Sequence, residues 1–169
     1  MRIAILATFA ALSSVPRTAL SQAHDPGAHR HDSASHPDSA FKALQSRGAR
    51  VMGVDQYTST HRFEALADGG RIELQRDVDD SAGVRTIRDH LQTIARQFAK
   101  GDFSASATVH ARAVPGTAVM RTRRKSIRYE FGALPRGGEL RIMTRDPAGL
   151  RAVHEFLAFQ RGDHRTGEK

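Results

Sequence analysis

The chain has no cysteine, no tryptophan and only two tyrosines, and its longest largely apolar run is residues 3–12 (IAILATFAAL). Each shortage closes a class. Without cysteine there is no disulfide staple and no thiolate chemistry, so stability rests on the core, and any metal must be held by nitrogen and oxygen, with methionine sulfur as an auxiliary. The apolar run is too short to cross a bilayer as a helix. Two tyrosines offer little for stacking nucleobases, and no nucleic-acid role is expected. The sequence also lacks a GxSxG elbow, an HExxH pair and a phosphate-cradling GxxxxGK, the usual marks of a serine hydrolase, a zinc protease and a P-loop enzyme.

What is present begins with an export signal. Arg2 supplies a positive start, residues 3–12 the apolar stretch, and Pro16 and Arg17 the break. Ser21-Gln22-Ala23 then offers small residues for cleavage after Ala23; Ala19-Leu20-Ser21 is a second frame, ending at Ser21. Residues 1–23 therefore read as a signal peptide, and the expected location is the periplasm or the medium. The remaining 146 residues suffice for one domain. The chain holds 26 lysines and arginines against 18 acids; losing Arg2 and Arg17 leaves 24 against 18, or +6. That charge favours weak attraction to anionic surfaces.

Residues 24–37 (HDPGAHRHDSASHP) carry four histidines and almost nothing apolar, a composition that predicts a disordered arm. From residue 38 the pattern is that of a single α+β domain. Asp38 or Ser39 caps a short helix ending at Gly48, and residues 57–66 alternate as a strand with Tyr57, His61 and Phe63 inward. After an Asp68-Gly69-Gly70 turn, residues 71–76 return with Ile72 and Leu74 inward. Asp80 or Ser81 caps a helix with the stripe Val84, Ile87, Leu91, Ile94 and Phe98, closed by Gly101. Residues 126–162 repeat that order: a strand, a turn at Pro135 to Gly138, a return strand, and a helix capped at Asp146-Pro147. AGVRTIRDHL (82–91) aligns with AGLRAVHEFL (148–157), and Gly69-Gly70 with Gly137-Gly138. The chain thus predicts a duplicated ββα unit, 57–100 and 126–162, joined by a crossover over 101–125 that is loop-like before a short basic helix after Pro115-Gly116. Two such units make a four-stranded antiparallel sheet with two helices on one face, plus the short N-terminal helix.

Three groups could carry chemistry. His24, His29, His31 and His36 in the arm can chelate Cu(II), Zn(II) or Ni(II), and cleavage after Ser21 would place His24 third from a free amine, a square-planar Cu(II) ligand set. His61 and His154 both fall on inward faces, with Arg88 at the position equivalent to His154, so the three would form either a hydrogen-bonded network or a small anion or metal site. Arg121, Arg123, Arg124 and Lys125 form the one dense basic run, suited to an acidic protein or an anionic envelope surface. His90, His110 and His164 fit their patterns less well. Met52, Met120 and Met143 are scattered and read as packing residues.

At MGVDQYTSTHRF (52–63), DGGRIEL (68–74), GDF (101–103) and HEFLAFQ (154–160), the chain resembles a group of small exported bacterial proteins of uncharacterised function. The resemblance implies export and a shared fold, and it brings no catalytic residues. Some of that group carry a transcarbamoylase label, but this chain is too short for that two-domain enzyme and has no carbamoyl-phosphate loop. The residues thus point first to an exported protein that binds Cu, Zn or Ni through histidines, second to a non-catalytic module that meets an acidic partner through its basic crossover, and third to an enzyme on a small anionic substrate, which needs His61, Arg88 and His154 to converge.

Overall fold

The computed structural model describes residues 37–166. The export segment and His24, His29, His31 and His36 lie outside the described residues.

Alternation of period two builds four strands: β1 (Ser59–Leu66), β2 (Gly69–Arg76), β3 (Ile127–Leu134) and β4 (Gly137–Thr144). They form one antiparallel sheet in the order β1-β2-β4-β3. One face carries Phe63, Leu74, Ile127, Leu140 and Ile142 into the core; the other alternates arginine and glutamate, as in the pairs Arg71 with Glu64 and Arg128 with Glu130. The helices are α1 (Pro37–Met52), α2 (Ser81–Ala99), α3 (Ser104–His110), α4 (Thr117–Thr122) and α5 (Pro147–Asp163). Asp80 and Asp146 start the two long ones as side-chain caps, accepting from Gly83 N, and from Ala148 N and Gly149 N.

The duplicated ββα order is present, and its halves interlock. In the central ladder Ile72 faces Leu140, its own counterpart in the repeat, so a pseudo-two-fold axis passes between them. α2 packs on β3 and β4, while α5 packs on β1 and β2. Each helix therefore covers the other unit's hairpin. The paired glycines make this close approach feasible. A Cβ on Gly70 would lie 2.1 Å from Leu157 Cδ1, and one on Gly138 would lie 3.1 Å from Leu91 Cδ1. Leu91 and Leu157 are equivalent residues of the two helices, and each is almost fully buried, worth about 1.5–3 kcal/mol apiece in apolar transfer.

Local expectations differ from the structure in several places. α1 runs through Gly48 to Met52, and Gly48 sits against the Gln56 carboxamide where a side chain would collide. Residues 56–58 form a 3-10 turn (Gln56–Thr58) instead of continuing β1, which leaves Tyr57 64 % exposed and turns Gln56 inward at 5 %. The turns are Ala67-Asp68 and Pro135-Arg136, with both glycine pairs already inside strands. The crossover begins with a helix, α3, whose Ser-Ala-Ser-Ala-Thr start has no apolar stripe to announce it. On α5 the buried stripe is Ala152, Val153, Phe156 and Leu157, with Leu150 and Phe159 at its margins.

Candidate functional site

Asp55 sets up the site by accepting from Tyr57 N through its side chain (2.9 Å) and from Ser59 Oγ through its carbonyl (2.9 Å), which fixes the 3-10 turn and drives Gln56 under α1. β1 then carries His61 and Phe63 on the helix-facing side. The end of α5 delivers His164, whose ring lies 5.5 Å from that of His61 and 5.4 Å from that of Phe63, the former nearly parallel. His90 from α2 and His110 from α3 complete a group of four imidazoles on one cavity wall. His110 is edge-on to His164 at 5.2 Å.

The space has two chambers. An inner one of about 80 Å³ is lined chiefly by Phe63, Leu74, Leu91, Ile94, Phe98 and Phe156. An outer cleft of about 660 Å³ is bordered by Gln45, Thr60, Arg62, Asp77 and Thr166. Gln56, His61 and His164 line both and form the wall between them.

Unpaired polar atoms concentrate at this place. Among the described residues five buried side-chain atoms have no hydrogen-bond partner, and four of them, Gln45 Oε1, Gln56 Oε1, His61 Nε2 and Thr166 Oγ1, belong to residues that line the outer cleft. Each such atom costs about 1–3 kcal/mol, so a cluster of four is a standing expense to stability. The fifth is Tyr129 Oη, on the other half of the sheet.

Burial also keeps three of these imidazoles uncharged. It pushes His61 down to about 4, helped by the nearby His90, and His164 down to about 3, helped by His61 and His110 against the opposing pull of Asp163. His90 is lowered by burial as well. At neutral pH His61, His90 and His164 are neutral rings, each able to donate through one nitrogen and accept through the other.

His110 is committed elsewhere. Its Nδ1 donates to Asp163, whose other oxygen accepts from Arg112 (2.7 Å), and its Nε2 pairs with the Gln160 carboxamide (2.9 Å). This resembles the base and orienting acid of a catalytic triad, but with Gln160 where a nucleophile would stand. Its evident work is to tie α3 to α5.

Arg88 and His154 turn out to be equivalent clamps. Arg88 donates to Leu134 O (2.7 Å) and Gly137 O (2.9 Å) at the second hairpin. His154 Nε2 meets Leu66 O (2.9 Å) and Gly69 O (3.0 Å), the matching carbonyls of the first, and therefore carries the ring hydrogen. The two hairpins close opposite ends of the sheet, so Arg88 and His154 are brought to opposite ends, and His61 meets neither in these networks. The convergence required for an enzyme of that kind is absent. No group of three His, Asp or Glu side chains able to hold a metal occurs among the described residues.

In the basic run, Arg121 Nε donates to Gly101 O (3.0 Å), Arg124 reaches Arg121 O, and Arg123 pairs with the α5 cap Asp146 (3.4 Å). Among the described residues Lys125 carries no such bond, and with Arg123, Arg128 and Arg145 it lines an open groove of about 1030 Å³. No helix among the described residues is long and apolar enough to cross a membrane.

Gln45, Gln56 and Thr166 give no motif signal in the sequence. His164 could have been found: carrying the repeat alignment past residue 157 sets it opposite Phe98, and the strand alignment sets His61 opposite Tyr129. Histidine in place of a core aromatic at both positions marks a departure from packing. No family model, curated protein or solved structure matches the chain.

Proposed function

We propose that the protein is an exported binding module for a small amphipathic molecule, held in the two-chambered pocket between β1, α1 and the end of α5. The supporting observation is the gathering of four unpartnered buried polar atoms on residues that border one cleft, with Gln56, His61 and His164 also lining the apolar chamber behind it. Gln45 Oε1 and Gln56 Oε1 call for a ligand bearing N–H or O–H donors, and neutral His61 suits an uncharged head group. The inner chamber is about half the ~150 Å³ that accommodates benzene in an engineered cavity, which suits a short alkyl arm. Four-carbon probes differing only in the head test this. Butanamide should shift the His61 and His164 ring resonances at millimolar concentration, while butyrate should not. Absence of any shift at those rings with butanamide and butanol would contradict it.

A second reading rests on the open groove. Arg123, Lys125, Arg128 and Arg145 present cationic groups to an acidic partner, and Lys125 and Arg145 have no ion pair among the described residues. Alanine at Arg123, Lys125 and Arg145 should abolish salt-dependent retention on a polyanionic matrix; unchanged retention counts against it. Arg121 is unsuited to that test because it holds Gly101. Metal binding within this account belongs to residues 24–37, and calorimetric titration with Cu(II) and Zn(II), with and without that stretch, tests it.

A further inference from the structure

The two edges of the sheet are equivalent by the repeat, yet they are treated differently. A two-residue turn joins Leu66 to Gly69 and Leu134 to Gly137, so those pairs are hydrogen-bonded and alternate residues from there face the partner strand. The residues left pointing outward are Ser59, His61, Phe63 and Ala65 on β1, and Ile127, Tyr129, Phe131 and Ala133 on β3. On β1 the outward carbonyl of Phe63 accepts from Arg161 (2.9 Å), and His164 lies against the same edge. On β3 the equivalent Phe131 carbonyl has no such donor, because the α2 position matching Arg161 is Ala95. Among the described residues nothing bonds to the outward main chain of Tyr129, Phe131 or Ala133.

An open edge is a pairing template. The side chains of β3 specify what pairs with it. Its exposed face carries Arg128 and Glu130, and its core-facing side carries Ile127, Tyr129 and Phe131. In an antiparallel pairing of β3 with itself, a register centred on Glu130 or on Arg128 sets like charges opposite one another. The register centred on Tyr129 sets Arg128 opposite Glu130 twice, and on the other face sets Ile127 opposite Phe131 twice. We infer that β3 is the interface of a homodimer, in which two copies join β3 to β3 about Tyr129 and the sheets merge into one of eight strands.

Sedimentation of the purified mature protein tests this together with two variants. The wild type should reach twice the monomer mass at sub-millimolar concentration. Glu130→Arg, which sets arginines opposite arginines, should sediment as a monomer, and the charge swap Arg128→Glu with Glu130→Arg should recover the dimer. Both positions are exposed, so folding is retained and circular dichroism verifies it. A monomeric wild type, a Glu130→Arg protein that stays dimeric, or a charge swap that stays monomeric would overturn the inference. Slow hydrogen exchange at the Tyr129 and Phe131 amides in a monomer would do so as well, by showing another segment of the chain on that edge.

Discussion

The two halves of the sheet use one scaffold for opposite ends. In the second half, Tyr129 on β3 meets Phe98 from the other unit's helix, ring edge to face at 5.7 Å, and Phe98 is 1 % exposed. In the first half the matching positions hold His61 and His164, parallel at 5.5 Å, beside a cavity and a cluster of unpaired atoms. What is core in one half is a pocket wall in the other. Interlocking makes this tolerable: glycine pairs and helix clamps hold both halves, so the first half can leave polar atoms unpaired without losing its place on the sheet.

The comparison breaks most severely at the scaffold that the halves share. Gly70→Ala should destabilise the protein by about 3 kcal/mol in urea unfolding, since its Cβ would meet both Leu157 and the Glu64 carbonyl. Gly138→Ala should cost somewhat less, because its nearest obstacle is the edge of the Phe131 ring. Acid is as severe a test. His61 and His164 are neutral in the folded protein down to about 4 and about 3 but take up protons near 6.5 once unfolded. Their folded values are depressed bases, so stability is full above 6.5 and falls as pH drops from there toward 4, by up to about 1.4 kcal/mol per pH unit for each histidine. The double variant His61→Tyr with His164→Phe, which copies the second half into the first, should flatten that pH dependence and raise the melting temperature at pH 7. A wild-type midpoint that does not change between pH 7 and 4.5 would contradict the assignment. The clamps should show a smaller contrast: Arg88→Ala should cost about 1.5–3 kcal/mol as a loss of charged hydrogen bonds, and His154→Ala about 1 kcal/mol.

Much of the architecture could be read from periodicity. The period-two runs, the caps at Asp80 and Asp146 and the paired glycines are local signals, and the strands, the long helices and the repeat follow from them. Swapping of the helices is not local: alignment shows that 82–91 and 148–157 match, but not on which hairpin each will land. That is why Arg88 and His154 hold separate hairpins instead of one cleft. The pocket is less legible in the sequence for a related reason. His61 sits on a strand and its inward direction is legible, whereas His164 and Thr166 lie past the end of α5, where no helical period extends, and Gln56 is inward because a 3-10 turn interrupts the alternation, which would set it on the face opposite His61 and Phe63.

The central claim is that the histidine half of the sheet binds a ligand and the aromatic half does not. The most direct measurement is a titration of butanamide into 15N-labelled protein, following imidazole and side-chain amide resonances, run in parallel on the wild type and on the His61→Tyr, His164→Phe variant. The account predicts saturable shifts at His61, His164, Gln45 and Gln56 in the wild type and none at the two glutamines in the variant. Equal shifts in both proteins, or shifts confined to residues around Tyr129, would contradict it.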